Sequence, residues 1–236
     1  MKPFLTLVAF VATFTFSSCN NATDKGATTT EPETAATTVD AAPAFEPFKL
    51  ISISHTVKDF DAWKKEYDGH ASMRAANGIS ELAIARGLDN PNKVYVFNKI
   101  ADLQKAKDFS ASPELKEAMK NAGVTGAPEI RFVDVLRFED APEEFSGRVR
   151  IGHKVKDFNA WLAVFDQEGK ETRKANGLID RALSRSIDDP SMIYITFTIS
   201  DMEKAKARIN DPELKKLMTE GGVISQPEFV YFNVVK

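Results

Sequence analysis

From Phe48 to Val57 apolar and polar positions alternate, placing Ile51, Ile53 and His55 on one face, which is the period-two pattern of a strand. The period then changes. Phe60, Trp63 and Tyr67 recur at three and four residues as the apolar stripe of a helix, and Asn77-Gly78 offers the left-handed conformation that ends it. Leu82 to Arg86 and Lys93 to Asn98 read as strands again, joined across the turn Asp89-Asn90-Pro91. A second helix is expected from about Asp102, interrupted and restarted with Ser112 as N-cap and Pro113 in its first turn. The last strand is expected to open at Pro128, where a missing N–H does little harm.

The pattern occurs twice. His55-Thr-Val-Lys-Asp-Phe-Asp-Ala-Trp63 returns as His153-Lys-Val-Lys-Asp-Phe-Asn-Ala-Trp161 at a shift of 98, with seven of nine positions identical. After a one-residue insertion, Arg74-Ala-Ala-Asn-Gly78 meets Arg173-Lys-Ala-Asn-Gly177, and Ser112-Pro-Glu-Leu-Lys meets Asp211-Pro-Glu-Leu-Lys, at a shift of 99. A period this long is a duplicated small domain, not a solenoid unit. The boundaries predicted are 48–140 and 148–236, with 141–147 as connector. Strand, helix, strand, strand, helix, strand is the ferredoxin-like split plan, so the fold class expected is α+β: two βαββαβ repeats. Both faces of the strands are apolar, since Val94 and Val96 oppose Tyr95 and Phe97, and helices cover one face only. The second face needs a cover, and the other copy's sheet is the simplest one. The expectation is therefore two repeats packed sheet to sheet as an intrachain dimeric α/β barrel.

With these residues in view, the chain resembles a family. His55, Lys58-Asp59-Phe60, Trp63, His70, Arg74, Asn77-Gly78, Arg86, Asp89-Asn90-Pro91, Ser112-Pro113-Glu114-Leu115, Gly123-Val124 and Pro128-Glu129 look like the antibiotic biosynthesis monooxygenase-like (ABM-like) domains of the dimeric α/β-barrel superfamily. The likeness covers both copies. It implies the barrel fold and leaves activity open, because members include cofactor-independent oxygenases of aromatic polyketides, heme-degrading enzymes and proteins with no assigned reaction. The Asn, Trp and His set of the heme-degrading members is not carried over to residues here.

Ahead of the repeats the pattern is different. Lys2 precedes an apolar run from Phe4 to Phe16 broken only by Thr, and small residues follow; this reads as a signal peptide, residues 1–18. The run is shorter than the roughly 20 residues of a spanning helix. Phe16-Ser17-Ser18-Cys19 resembles the lipobox of bacterial lipoproteins, with Phe in place of the usual Leu, and implies lipidation of Cys19, the one cysteine of the chain. The Thr-, Ala- and Pro-rich stretch that follows has no hydrophobic period, so 19–47 is read as a lipidated, disordered tether reaching roughly 30 Å. The expected place is the cell envelope, as a periplasmic or outer-membrane lipoprotein held by its acyl chains.

Charge narrows the partners. Lys+Arg 31 against Asp+Glu 34 gives −3, and loss of residues 1–18 removes Lys2 and leaves −4, so no basic footprint points to nucleic acid. With three His and one Cys assigned to a lipid, neither a metal site nor a cofactor is expected. No nucleophile elbow, phosphate-binding glycine loop or dinucleotide fingerprint is present.

The polar residues left on apolar faces are the candidates. His55 and His153 end strands on the faces of Ile51 and Ile53 or Val149 and Ile151, as base, ligand-orienting group or imidazole bridging strand and helix. His70 and Arg74 are spaced i, i+4 on one helical face; the second copy keeps Arg173 but no histidine, which makes the first copy the better place for chemistry. Arg86 and Arg185 stand on strand faces, free to fork onto a ligand oxygen or to bridge the turn acids Asp89 and Asp188. Tyr95 and Tyr194 offer phenols to a pocket or pack with satisfied hydroxyls. The leading expectation is a small apolar or aromatic ligand in a pocket between sheet and helices, contacted by His55, His70, Arg74 and Arg86 with Tyr95, His153, Arg173, Arg185 and Tyr194 as further ligand-binding candidates. The alternatives are a cofactor-independent monooxygenase using His55 or His70 as base, and a non-catalytic structural or partner-binding module.

Overall fold

A computed structural model describes residues 45–140 and 144–235. The signal peptide, Cys19, nearly all of the tether and residues 141–143 of the connector lie outside the described residues. The first repeat runs β1 (Phe48–Val57), α1 (Phe60–Gly69), α2 (Ala71–Ala76), β2 (Ile79–Gly87), β3 (Lys93–Ile100), α3 (Leu103–Ala111), α4 (Pro113–Asn121) and β4 (Val124–Phe138). The second runs β5 (Gly147–Lys154), α5 (Phe158–Glu168), α6 (Lys170–Ala175), β6 (Leu178–Ser186), β7 (Met192–Ile199), α7 (Met202–Asn210), α8 (Pro212–Glu220) and β8 (Glu228–Val234). Among the described residues no helix is long and apolar enough to cross a membrane.

Local chemistry sets the helix starts. Asp59 and Asp157 cap α1 and α5 by accepting from the amides of Ala62 and Ala160, both at 2.8 Å. Ser112 and Asp211 cap α4 and α8, each with proline in the first turn, as expected. Two expectations need correction. The first helix of each repeat is not continuous but breaks at His70 and at Gly169, where φ is 81°. Pro128 does not open β4; the strand begins at Val124, and Pro128 falls where the β1 register shifts between Ser54 and Thr56, a break that absorbs its missing N–H.

Each repeat forms an antiparallel sheet, in the orders β4-β1-β3-β2 and β6-β7-β5-β8. The two sheets do more than face each other. Their edges join, β2 to β8 from Ala85↔Val234 to Gly87↔Phe232, and β4 to β6 from Val133↔Ser186 to Phe138↔Ala182. The result is a closed eight-stranded barrel whose two seams are short ladders.

Apolar side chains divide between the two faces by parity. Ile51, Ile53, Val94, Val96 and Ile84 point outward and are covered by Phe60 and Trp63 of α1 and Ala106 of α3. Val149, Ile151, Ile193, Ile195 and Leu183 meet Trp161 and Ala205 in the same way. The opposite parity turns Leu50, Val133, Val135 and Tyr194 inward, with Phe97 and Phe232.

Gly177 ends α6 with φ +77°, and a Cβ there would clash with the carbonyl oxygen of Asp201, which caps α7. At Gly126 φ is similar, +73°, with nothing within 4 Å. Gly177→Ala is therefore expected to lower stability by about 2–4 kcal/mol and Gly126→Ala by about 1 kcal/mol, a difference that urea unfolding of the two variants measures.

Candidate functional site

Three cavities adjoin the candidate residues, and the roomiest of the three lies inside the barrel. The lumen holds a cavity of about 510 Å³, against about 70 Å³ for each of the two clefts between sheet and helices. The smaller clefts have room for a few waters; the lumen has room for an organic ligand. Clefts between sheet and helices are present, as expected, but each is far smaller than the lumen. The helices pack down on Trp63 and Trp161, 2% and 4% exposed, and leave little of that layer open.

The lumen wall is lopsided. Leu50, Ser52 and Leu82 of the first repeat stand where the second has Arg148, Arg150 and Arg181, at shifts of 98, 98 and 99. Strands β1 and β5 lie opposite each other in the ring, and Arg150 Nη1 reaches across to donate to Ser52 Oγ at 3.3 Å. Arg150 is 5% exposed and Arg148 8%. Arg148 donates to the carbonyls of Phe145 at 2.6 Å and Gly147 at 2.9 Å. Among the described residues neither has a carboxylate within 4.0 Å. By contrast, Arg131 pairs with Glu129 and, at 3.5 Å, with Glu228, while Arg181 reaches Asp140 at 3.4 Å. Burial, reinforced by the charge of Arg131, holds the Arg150 guanidinium below its ordinary value; burial and Arg181 do the same to Arg148.

The first-repeat cleft brings His55, His70 and Arg74 together with Trp63, Tyr67 and Asn98. His55 sits edge-on to Trp63, ring centroids 5.5 Å apart, and neither ring nitrogen has a hydrogen-bond partner. Burial and then the charge of Lys93 lower its pKa to about 4, so the ring is neutral near pH 7. Tyr67 donates to Asn98 Oδ1 at 3.1 Å, and burial pushes its hydroxyl up to about 12. His70 Nδ1 donates to the carbonyl of Glu66 at 2.7 Å, while Arg74 stacks on the Tyr67 ring with Cζ 3.6 Å from its centroid.

The second-repeat cleft keeps the imidazole and loses the hydroxyl. His153 lies 5.7 Å from Trp161, unpartnered at both nitrogens, with burial lowering its pKa to about 4. Phe165 and Phe197 replace Tyr67 and Asn98. Arg173 forks onto Asp180 at 2.8 and 2.7 Å and lies over Phe165, so it is held by its own repeat.

The remaining candidates part company. Arg86 and Arg185 neither bridge Asp89 and Asp188 nor line the lumen or the two clefts: each donates through Nε to a turn carbonyl, Pro91 and Pro190, and lies over Phe60 or Phe158. Asp188 instead pairs with Lys107 of the first repeat at 2.7 Å. Tyr95 packs against Phe232, centroids 5.4 Å apart. Tyr194 alone of the expected residues lines the lumen, its ring centroid 5.6 Å from Arg150 Cζ and 5.7 Å from Arg131 Cζ. The lumen arginines and the Tyr67–Asn98 bond were not expected from sequence. The signal for the former is β5 itself, where Arg148, Arg150 and Gly152 alternate with Val149, Ile151 and His153.

The architecture is an eight-stranded α/β barrel built from two repeats, and solved structures share its fold. A candidate monooxygenase from Fusobacterium nucleatum subsp. nucleatum superposes with TM-score 0.54 at 13% identity, covering 80% of this chain and 93% of that one. An anthrone oxidase-like protein gives 0.53 at 12%, over 80% and 92%. A chlorite dismutase variant from Candidatus Nitrospira defluvii gives 0.50 at 12%, over 80% and 93%. The chain has the ferredoxin-like, dimeric α/β-barrel fold of ABM-like monooxygenases and chlorite dismutase-like proteins. At these identities the likeness is one of fold. No protein-family model matches the sequence, and no curated protein matches it.

The two lowered imidazoles make a pH prediction. An unfolded histidine takes up its proton near pH 6.5 and these folded ones only near 4. Below 6.5 the unfolded state therefore binds more protons, and stability falls between pH 6.5 and 4 by up to about 3 kcal/mol per ring. In urea titrations across that window, the double variant His55→Leu, His153→Leu is expected to show a clearly shallower decline than the parent.

Proposed function

We propose that the protein is a lipid-anchored cell-envelope protein whose ABM-like barrel binds a small apolar or aromatic molecule, with the lumen rather than the helix-covered clefts as its binding place. The observation that carries this reading is the 510 Å³ lumen. It falls within the roughly 300–1,000 Å³ of organic-ligand pockets and is walled by Leu50, Leu82, Phe97, Val133, Val135 and Phe138 on its apolar part, with arginines and hydroxyl groups making up the rest. The lipobox-like Phe16-Ser17-Ser18-Cys19 supports anchoring, and the tether would stand the barrel off a bilayer.

A second reading, a cofactor-independent oxygenase in the first-repeat cleft, is favoured by one observation. His55 is a neutral imidazole with both nitrogens unpartnered, in the same cleft as Tyr67 and His70. Its lowered pKa makes it a weak base, which counts against proton abstraction near pH 7.

Melting shifts against a panel of aliphatic and aromatic compounds test the first reading: stabilisation is expected in the parent, and its loss in Ala83→Trp, which fills the lumen. The oxygenase reading instead expects oxygen uptake with an anthrone, unaffected by Ala83→Trp and abolished by His55→Leu. Anchoring predicts that Cys19→Ser moves the protein from the membrane fraction to the soluble one.

A further inference from the structure

A guanidinium carries five N–H donors and a charge that burial disfavours unless an anion accompanies it. Arg150 is 5% exposed, and its one side-chain hydrogen bond among the described residues is the 3.3 Å contact with Ser52. Arg148 spends one Nη on two backbone carbonyls and has no acid beside it among the described residues. The two lie two residues apart on β5 and share its lumen face, so their guanidinia open into the same cavity. Asp140, the acid among the described lumen residues, reaches Arg181, while Glu129 and Glu228, half-exposed and outside the lumen lining, pair with Arg131. Facing these arginines is the apolar wall of the first repeat, Leu50, Leu82 and Phe97.

An apolar wall opposite a forked cationic one describes an amphipathic anion. We propose that the lumen selects an organic carboxylate, with its head held by Arg148 and Arg150 and its hydrocarbon body against Leu50, Leu82 and Phe97. The inference rests on the lumen being the binding place and adds the charge of the ligand. A planar two-oxygen head matches the guanidinium fork. Ser52, at the repeat position of Arg150, leaves room and a hydroxyl where a second arginine would repel the first.

The test is titration calorimetry on the full chain with dodecanoate and dodecanol at submicellar concentration. Dodecanoate is expected to bind about tenfold to a hundredfold more tightly, the worth of a charge-assisted hydrogen bond or two. In the double variant Arg148→Met, Arg150→Met that preference is expected to fall to about twofold or less. Equal binding of the two by the parent overturns the carboxylate inference and leaves the lumen reading standing; binding of neither overturns both. A preference that survives in the double variant also overturns the inference, since the head would lie elsewhere. A readout that needs no variant is the titration of carboxyl-labelled dodecanoate followed by carbon-13 resonance. Bound between arginines, the carboxyl stays ionised to lower pH than in water, and a raised pKa contradicts the proposal.

Discussion

Edge pairing is the constraint on which the rest depends. A four-stranded sheet with helices on one side has two unmet needs: unpaired backbone groups along its outer strands, and a bare apolar face. Joining β2 to β8 and β4 to β6 satisfies the first with main-chain hydrogen bonds. Closure then meets the second, because the two bare faces become one interior. Packing face to face without joined edges would have pressed the sheets together; a closed ring of eight strands holds them apart around a cavity.

Placing both halves on one polypeptide changes what the interior can contain. Near the pseudo-two-fold axis, equivalent positions face each other, as Ser52 and Arg150 do. Two identical chains would present the same residue twice, and paired arginines in a poorly solvated space repel. Duplication frees the positions to differ, and the first repeat has Leu50, Ser52 and Leu82 where the second has arginine. The outer layer shows the opposite tendency. His55 with Trp63 and His153 with Trp161 keep nearly the same edge-on geometry, although Tyr67 and Asn98 give way to phenylalanines in the second cleft.

The fold was legible because its signals are local and repeated: the period-two run from Phe48, the Phe60–Trp63–Tyr67 stripe, the Ser112-Pro113 restart and the recurrence of all three in the second half. The site was legible only in part. His55 shares a parity with Ile51 and Ile53, and that parity correctly implied a covered imidazole. What parity alone does not tell is which covered face retains space. That depends on how tightly Trp63 and Trp161 seat the helices and on where the edges close, both long-range properties. Histidines and tyrosines therefore drew attention for their chemistry, while Arg148 and Arg150, in plain alternation along β5, did not. A charged residue on the inner parity of a strand is the stronger signal, because burial demands a reason for it. Arg86 and Arg185 misled for the reverse reason: a hairpin carbonyl five residues along the chain satisfies them without a ligand.

Native-state amide hydrogen exchange tests barrel closure most directly. If the ring is closed, the seam amides of β2 with β8 and of β4 with β6 exchange about as slowly as those in the β1–β3 ladder, because opening a seam requires opening the barrel. Seam amides exchanging orders of magnitude faster than that ladder would mean that the halves part freely, leaving two solvated sheet faces in place of a lumen.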